Sequence, residues 1–128
     1  MGSTEVDLEN LKGFWPENAP NISQVSKYVS KYKKEKIVIK CGGKVLIDPD
    51  LFNNFIEDIS ILYKLGLTVI IVHGGGPRIK IELAKLNIES QFINGLRVTN
   101  KQTMGIVEKA LVDFNSEIIE KLKKKECK

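Results

Sequence analysis

The chain has 128 residues, 42% of them hydrophobic and 28% charged, and a formal net charge of +4. That length suits about one domain with a core of its own, and the composition excludes intrinsic disorder. Two cysteines and one histidine are too few for a disulfide framework or a protein-built zinc site, and no apolar run approaches the ~20 residues that span a bilayer.

Charge is unevenly placed. Residues 1–20 carry −3, residues 21–36 carry +4 and residues 120–128 carry +3, whereas residues 37–119 hold nine basic and nine acidic side chains. The basic excess therefore flanks the middle and is not interleaved with aromatics on one reading element. Neither nucleic acid nor a membrane is expected as a partner. The acidic N-terminal sequence lacks an apolar signal region, so a cytoplasmic location is expected.

Residues 1–20 read as a flexible leader broken by Gly13, Pro16 and Pro20. Residues 21–35 read as an amphipathic helix capped by Asn21 or Ser23, with Ile22, Val25, Tyr28 or Val29, and Tyr32 forming a narrow apolar stripe that must lie on this domain or on a partner chain. Lys36 to Lys40 is a β-branched run ended by Gly42 and Gly43, hence a strand. Asp48-Pro49-Asp50 opens a helix whose apolar set runs from Leu51 to Leu65, and Gly66 stops it. Leu67 to Val72 is apolar on both faces, as a parallel strand covered on both sides would be. His73 and three glycines follow, and Pro77 to Leu86 resumes the helical period. Asn94-Gly95 marks a hairpin turn. Thr99 is then the expected cap of a helix with Met104, Val107, Ala110 and Leu111 on its buried face, and Asn115 to Lys125 reads as a further helix with Ile118, Ile119 and Leu122 inward. Strand, helix, strand, glycine loop, helix is a βαβα unit, so the class is α/β with a mostly parallel sheet.

Two glycine loops, Lys40-Cys41-Gly42-Gly43 and His73-Gly74-Gly75-Gly76, each follow a strand. Parallel strands end at one edge, where open α/β sheets bind ligands. Glycine backbone admits an anion to N–H groups, and the second loop also opens a helix, whose N-terminus is partly positive. A lysine beside two such nests suits a transferring phosphoryl group, whose main need is stabilisation of spread negative charge. Neither GxxxxGK[ST] nor GxGxxG is present. Arg97 either clamps a carboxylate in the same cleft or is a surface residue of the hairpin. His73 is either a general base or a satisfied histidine at a strand end, Cys41 a nucleophile or a small buried residue, Arg78 a solvated face residue, and Asp48 and Asp50 capping residues.

IVIKCGG, VIIVHGGGPRI and FINGLRVT, in that order over about residues 36–120, resemble acetylglutamate kinase of the amino acid kinase superfamily. The resemblance implies a three-layer sandwich with a mostly parallel central sheet, of which residues 36–128 would be the N-terminal, acetylglutamate-binding lobe. It implies transfer of the ATP γ-phosphoryl to the side-chain carboxylate of N-acetyl-L-glutamate, a step of arginine biosynthesis. Lys40 would stabilise the phosphoryl, and the N–H groups of Gly43 and Gly75 would bind its oxygens. Gly75 and Gly76 would line the acetylglutamate pocket, and Arg97 would hold the α-carboxylate. ATP comes with Mg2+, and most of its site, with a second lysine, belongs to the family's other half. A homo-oligomer is implied, a dimer or a hexamer built through the N-terminal helix, with arginine as an inhibitor. The alternatives are a non-catalytic small-carboxylate-binding or regulatory module, and a related kinase with another acceptor.

Overall fold

The computed structural model describes residues 8–128. The two β-branched runs form a parallel pair, β1 (Lys36–Cys41) and β2 (Thr68–His73), in register from Lys36 beside Thr68 to Cys41 beside His73. Strand alternation gives the pair two unlike faces. Ile71 packs inward against the main core with Cys41. On the other face Val38 is 64% exposed, Ile70 44% and Val72 49%. The class is α/β with a parallel sheet, as expected. Among the described residues helices cover one face of it, and the second covering layer of a three-layer sandwich is not among them.

The N-terminal stretch holds a short helical turn, α1 (Leu8–Leu11), then a 3-10 turn over Lys12–Phe14. Helix α2 (Ile22–Tyr32) starts at Asn21, whose side chain accepts from the Ser23 N–H. The stretch read as a leader is thus partly built into the fold: Leu11 is buried with Val29, Ile61 and Leu65, and Trp15, Ile22, Val25 and Leu62 close around them. Ile22, Val25 and Val29 of the α2 stripe thus find partners within this chain, whereas Tyr28 and Tyr32 stay exposed.

Helix α3 (Pro49–Lys64) begins at Asp48, which accepts from the N–H groups of Asp50 and Leu51 at 2.9 and 3.1 Å. Helix α4 (Gly76–Lys85) follows the second glycine loop with Pro77 in its first turn. The hairpin β3 (Phe92–Ile93) and β4 (Leu96–Arg97) turns at Asn94 (φ 50°) and Gly95 (φ 79°), both left-handed as a type I′ turn requires.

The C-terminal part differs from expectation. A single 24-residue helix, α5 (Lys101–Lys124), stands where two were expected. Leu111-Val112-Asp113-Phe114-Asn115 contains neither glycine nor proline, and Phe114 and Ile118 are buried one turn apart on the same stripe, so the helix runs on. Its cap is Asn100, not Thr99: the Asn100 side chain accepts from the Thr103 N–H at 2.8 Å. Met104 and Ile119 face outward, and Thr103, Ala110, Phe114 and Ile118 are the buried positions.

Helix α5 packs against both α3 and α4. Its Phe114 and Ile118 meet Phe52 and Ile56 of α3, with Cys41 and Leu46, in the main cluster. Its Ala110 meets Ile79 and Leu83 of α4 in another. Complete burial of a side chain such as Leu83 or Phe114 contributes ~1.5–3 kcal/mol relative to exposure.

Candidate functional site

Because β1 and β2 are parallel, both glycine loops leave the same sheet edge, and a backbone bond ties them: the Gly74 N–H donates to the Cys41 carbonyl at 3.3 Å. The first loop continues into a 3-10 turn over Gly43–Leu46. Gly43 has φ +62°, a conformation that side chains with a Cβ disfavour. At Gly42, Gly43, Gly74 and Gly76 a Cβ would meet nothing within 4 Å, so packing does not demand glycine at those places. Open backbone is what an approaching anion needs. Gly75 is different. It is buried, and a Cβ there would come within 2.6 Å of Leu111 Cδ2, so this glycine lets α5 pack closely against the loop.

Lys40 is exposed and is the last residue but one of β1, in register with Val72 and on the open sheet face with Val38 and Ile70. Arg97 and Gly76 line one open groove of about 1150 Å3, which also takes in Lys80, Asn87, Ser90 and Phe92. The Arg97 guanidinium donates to Ser90 Oγ and lies 4.8 Å from the Phe92 ring centroid. It is half-buried and braced, unlike a free surface arginine. The structure therefore groups Lys40, Gly43 and Gly75 around the tied loops, and Gly76 with Arg97 in the groove alongside.

Each ring nitrogen of His73 has a polar neighbour. Its Nδ1 lies 3.0 Å from the Gly74 carbonyl oxygen and its Nε2 3.2 Å from Asn115 Oδ1, and its ring meets Phe114 edge-on at 5.0 Å. Cys41 is buried, and burial pushes its thiol pKa up, which disfavours the nucleophilic thiolate.

Arg78 corrects the sequence reading most. It is not a solvated face residue. Its Nε–H donates to the Leu46 carbonyl at 3.2 Å, its Nη1 lies 2.6 Å from Glu117 Oε2, and its guanidinium carbon is 4.2 Å from the Phe114 ring centroid. Sequence reasoning missed Asn115, Phe114 and Glu117 as well. Their partners His73 and Arg78 are 36 to 42 residues distant along the chain, beyond the reach of any local pattern.

Among the described residues no helix is long and apolar enough to cross a membrane. The Amino acid kinase family pattern matches residues 35–128. Acetylglutamate kinase from Pelagibacter ubique is 54% identical over 120 residues, covering 94% of this chain and 42% of that protein. The enzyme of the same name from Caldicellulosiruptor saccharolyticus is 44% identical over 110 residues, covering 85% of this chain and 38% of that one. This chain thus spans about two fifths of the length of the curated relatives it matches. Among solved structures, N-acetylglutamate synthase from Neisseria gonorrhoeae complexed with coenzyme A and N-acetyl-glutamate superposes with a TM-score of 0.66 at 20% identity, covering 80% of this chain and 24% of that one; the likeness is one of fold. With the glycine loops at matching strand ends and the family pattern running from just before β1 to the last residue, this chain belongs to the amino acid kinase family.

Proposed function

We propose that these residues form the acetylglutamate- and phosphoryl-binding part of an acetylglutamate kinase. The observation that carries the reading is the pair of tied glycine loops opening beside a groove that contains Gly76 and Arg97. In the proposed reaction an oxygen of the side-chain carboxylate attacks the γ-phosphorus of ATP. The bond to the ADP oxygen breaks, ADP leaves with its electron pair, and an acyl phosphate forms. The attacking carboxylate is already ionised at neutral pH, so no general base is required.

The work left to the protein is placement and charge. Lys40 would offset charge on the transferring group, as would the N–H groups of Gly43 and Gly75. Gly75 and Gly76 would line the pocket, and the braced Arg97 would pair with the α-carboxylate through its planar fork. ATP would be held mostly by sequence outside these residues. Among the described residues no three His, Cys, Asp or Glu side chains gather as a metal site. Mg2+ bound through phosphates and water needs few protein ligands, and no step here is assigned to it. Assembly into a homo-oligomer through α2, arginine inhibition and a cytoplasmic location belong to the same proposal.

The test joins residues 1–128 to the remainder of the Pelagibacter ubique acetylglutamate kinase and measures acetylglutamate-dependent ADP release, with hydroxylamine trapping of the acyl phosphate. Lys40→Met and Arg97→Ala should each lower kcat/KM by at least ~10²-fold. Normal turnover in both variants would sink the assignment. Preference for aspartate or uridylate would point to another acceptor. Calorimetry on the 128-residue chain addresses the binding-module reading: acetylglutamate uptake without ATP uptake is its signature.

A further inference from the structure

Arg78 has no part in the chemistry proposed above, yet it is held on three sides. It belongs to the first turn of α4, two residues after Gly76, and so moves with the second glycine loop. Its Nε–H grips the carbonyl of Leu46, the last residue of the 3-10 turn that starts at Gly43. Glu117 of α5 pairs with its Nη1, and the Phe114 ring supports its plane. Phe114 in turn abuts His73, whose Nε2 faces Asn115. Residues 114–117 of α5 therefore touch the second loop through His73 and the first loop through Arg78. Besides the Gly74–Cys41 backbone bond, one guanidinium and the helix behind it connect the two loops.

We infer that Arg78 is a positioning residue: by fixing the Leu46 carbonyl against α4 and α5 it sets where the Gly43–Leu46 turn presents its backbone N–H groups to the phosphoryl. This rests on the functional reading above. The geometry needs an arginine. A lysine can reach Glu117 or the carbonyl as a point charge, but it has no planar fork to do both while lying on a ring. Leu46 is a suitable lever because its side chain is locked in the main core, which leaves the carbonyl end of the turn as the part that Arg78 controls.

Two measurements test the inference separately from the function. In the 128-residue chain, Arg78→Lys and Arg78→Gln should raise amide exchange over residues 43–48 about 10-fold or more, with β2 and α5 protected as before. Unchanged exchange, or loss of protection throughout α4 and α5, would overturn a positioning role. In the joined enzyme, both variants should lower kcat roughly 10- to 100-fold, the scale of a misplaced group, while the acetylglutamate KM stays within about 2-fold. Glu117→Gln should act in the same direction with a smaller effect. A kcat per folded molecule within about 2-fold of wild type refutes the inference. If the unmutated joined enzyme shows no turnover, the functional reading fails, and the exchange result alone still decides the role of Arg78.

Discussion

Gly42 and Gly43 are neighbours in one loop with open space around both, yet alanine should affect them oppositely. Gly42 has φ −157° and ψ 179°, extended backbone that alanine adopts readily. Restricting the unfolded chain there should stabilise by ~0.4–1 kcal/mol. Gly43 has φ +62°, where a Cβ costs ~1–2 kcal/mol although it would strike nothing. The two variants should therefore differ by ~1.5–3 kcal/mol. Unfolding entropy of ~2.1 cal/mol/K per residue, taken over 128 residues, makes that roughly 6–11 °C in Tm. The strain should register globally, because Cys41 and Leu46 on either side of the loop both sit in the main core. Thermal unfolding by circular dichroism of Gly42→Ala, Gly43→Ala and Gly43→Asn checks it, with asparagine recovering part of the loss because it tolerates the left-handed region. Equal melting of the two alanine variants would refute the backbone argument.

Other outcomes follow from the same contacts. Asn100→Ala should cost ~1 kcal/mol through loss of the α5 cap, and Thr99→Ala much less; the reverse order in chemical denaturation would restore Thr99 as the cap. Phe114→Ala should cost ~3–5 kcal/mol, since the ring is fully buried and supports Phe52, His73 and Arg78; a urea midpoint near wild type would contradict that packing. Burial raises the Cys41 thiol above the ordinary value of 9.0, so the folded chain keeps a proton that the unfolded chain releases. Stability should then fall as pH climbs past about 9, and Cys41→Ala should flatten that decline; an alkaline limb identical in both would remove Cys41 as its source.

What could be read from sequence was local. The helix starts at Asn21 and Asp48, the two strands and the Asn94-Gly95 turn are each determined by residues within a few positions, and the structure has them all. Spacing misled where it does not choose a face: Met104 sits at helical intervals from buried residues, yet it lies outside them, 53% exposed. The break expected before Asn115 lacked a breaker, and packing against both α3 and α4 keeps α5 continuous. Arg78 was illegible for another reason. Leu46 is 32 residues before it and Glu117 39 after, so only the fold makes them neighbours. Gly75 could not be told from its neighbours by type, and only the approach of Leu111 separates a packing glycine from an open one.

The open face of the parallel pair has a practical consequence for handling the protein. Among the described residues β1 and β2 have each other as sole ladder partner, so each keeps a free edge beside a row of exposed Val38, Ile70 and Val72. Such an edge templates strands from another molecule. Lys36 and Lys40 stand at either end of the exposed row on β1 and act as gatekeepers, since a second chain stacking there would bring like charges together. Lys40 would then hold solubility as well as chemistry. Replacing it with methionine removes one gatekeeper, so that variant should self-associate sooner, and its activity has to be compared at dilutions where light scattering shows it monodisperse.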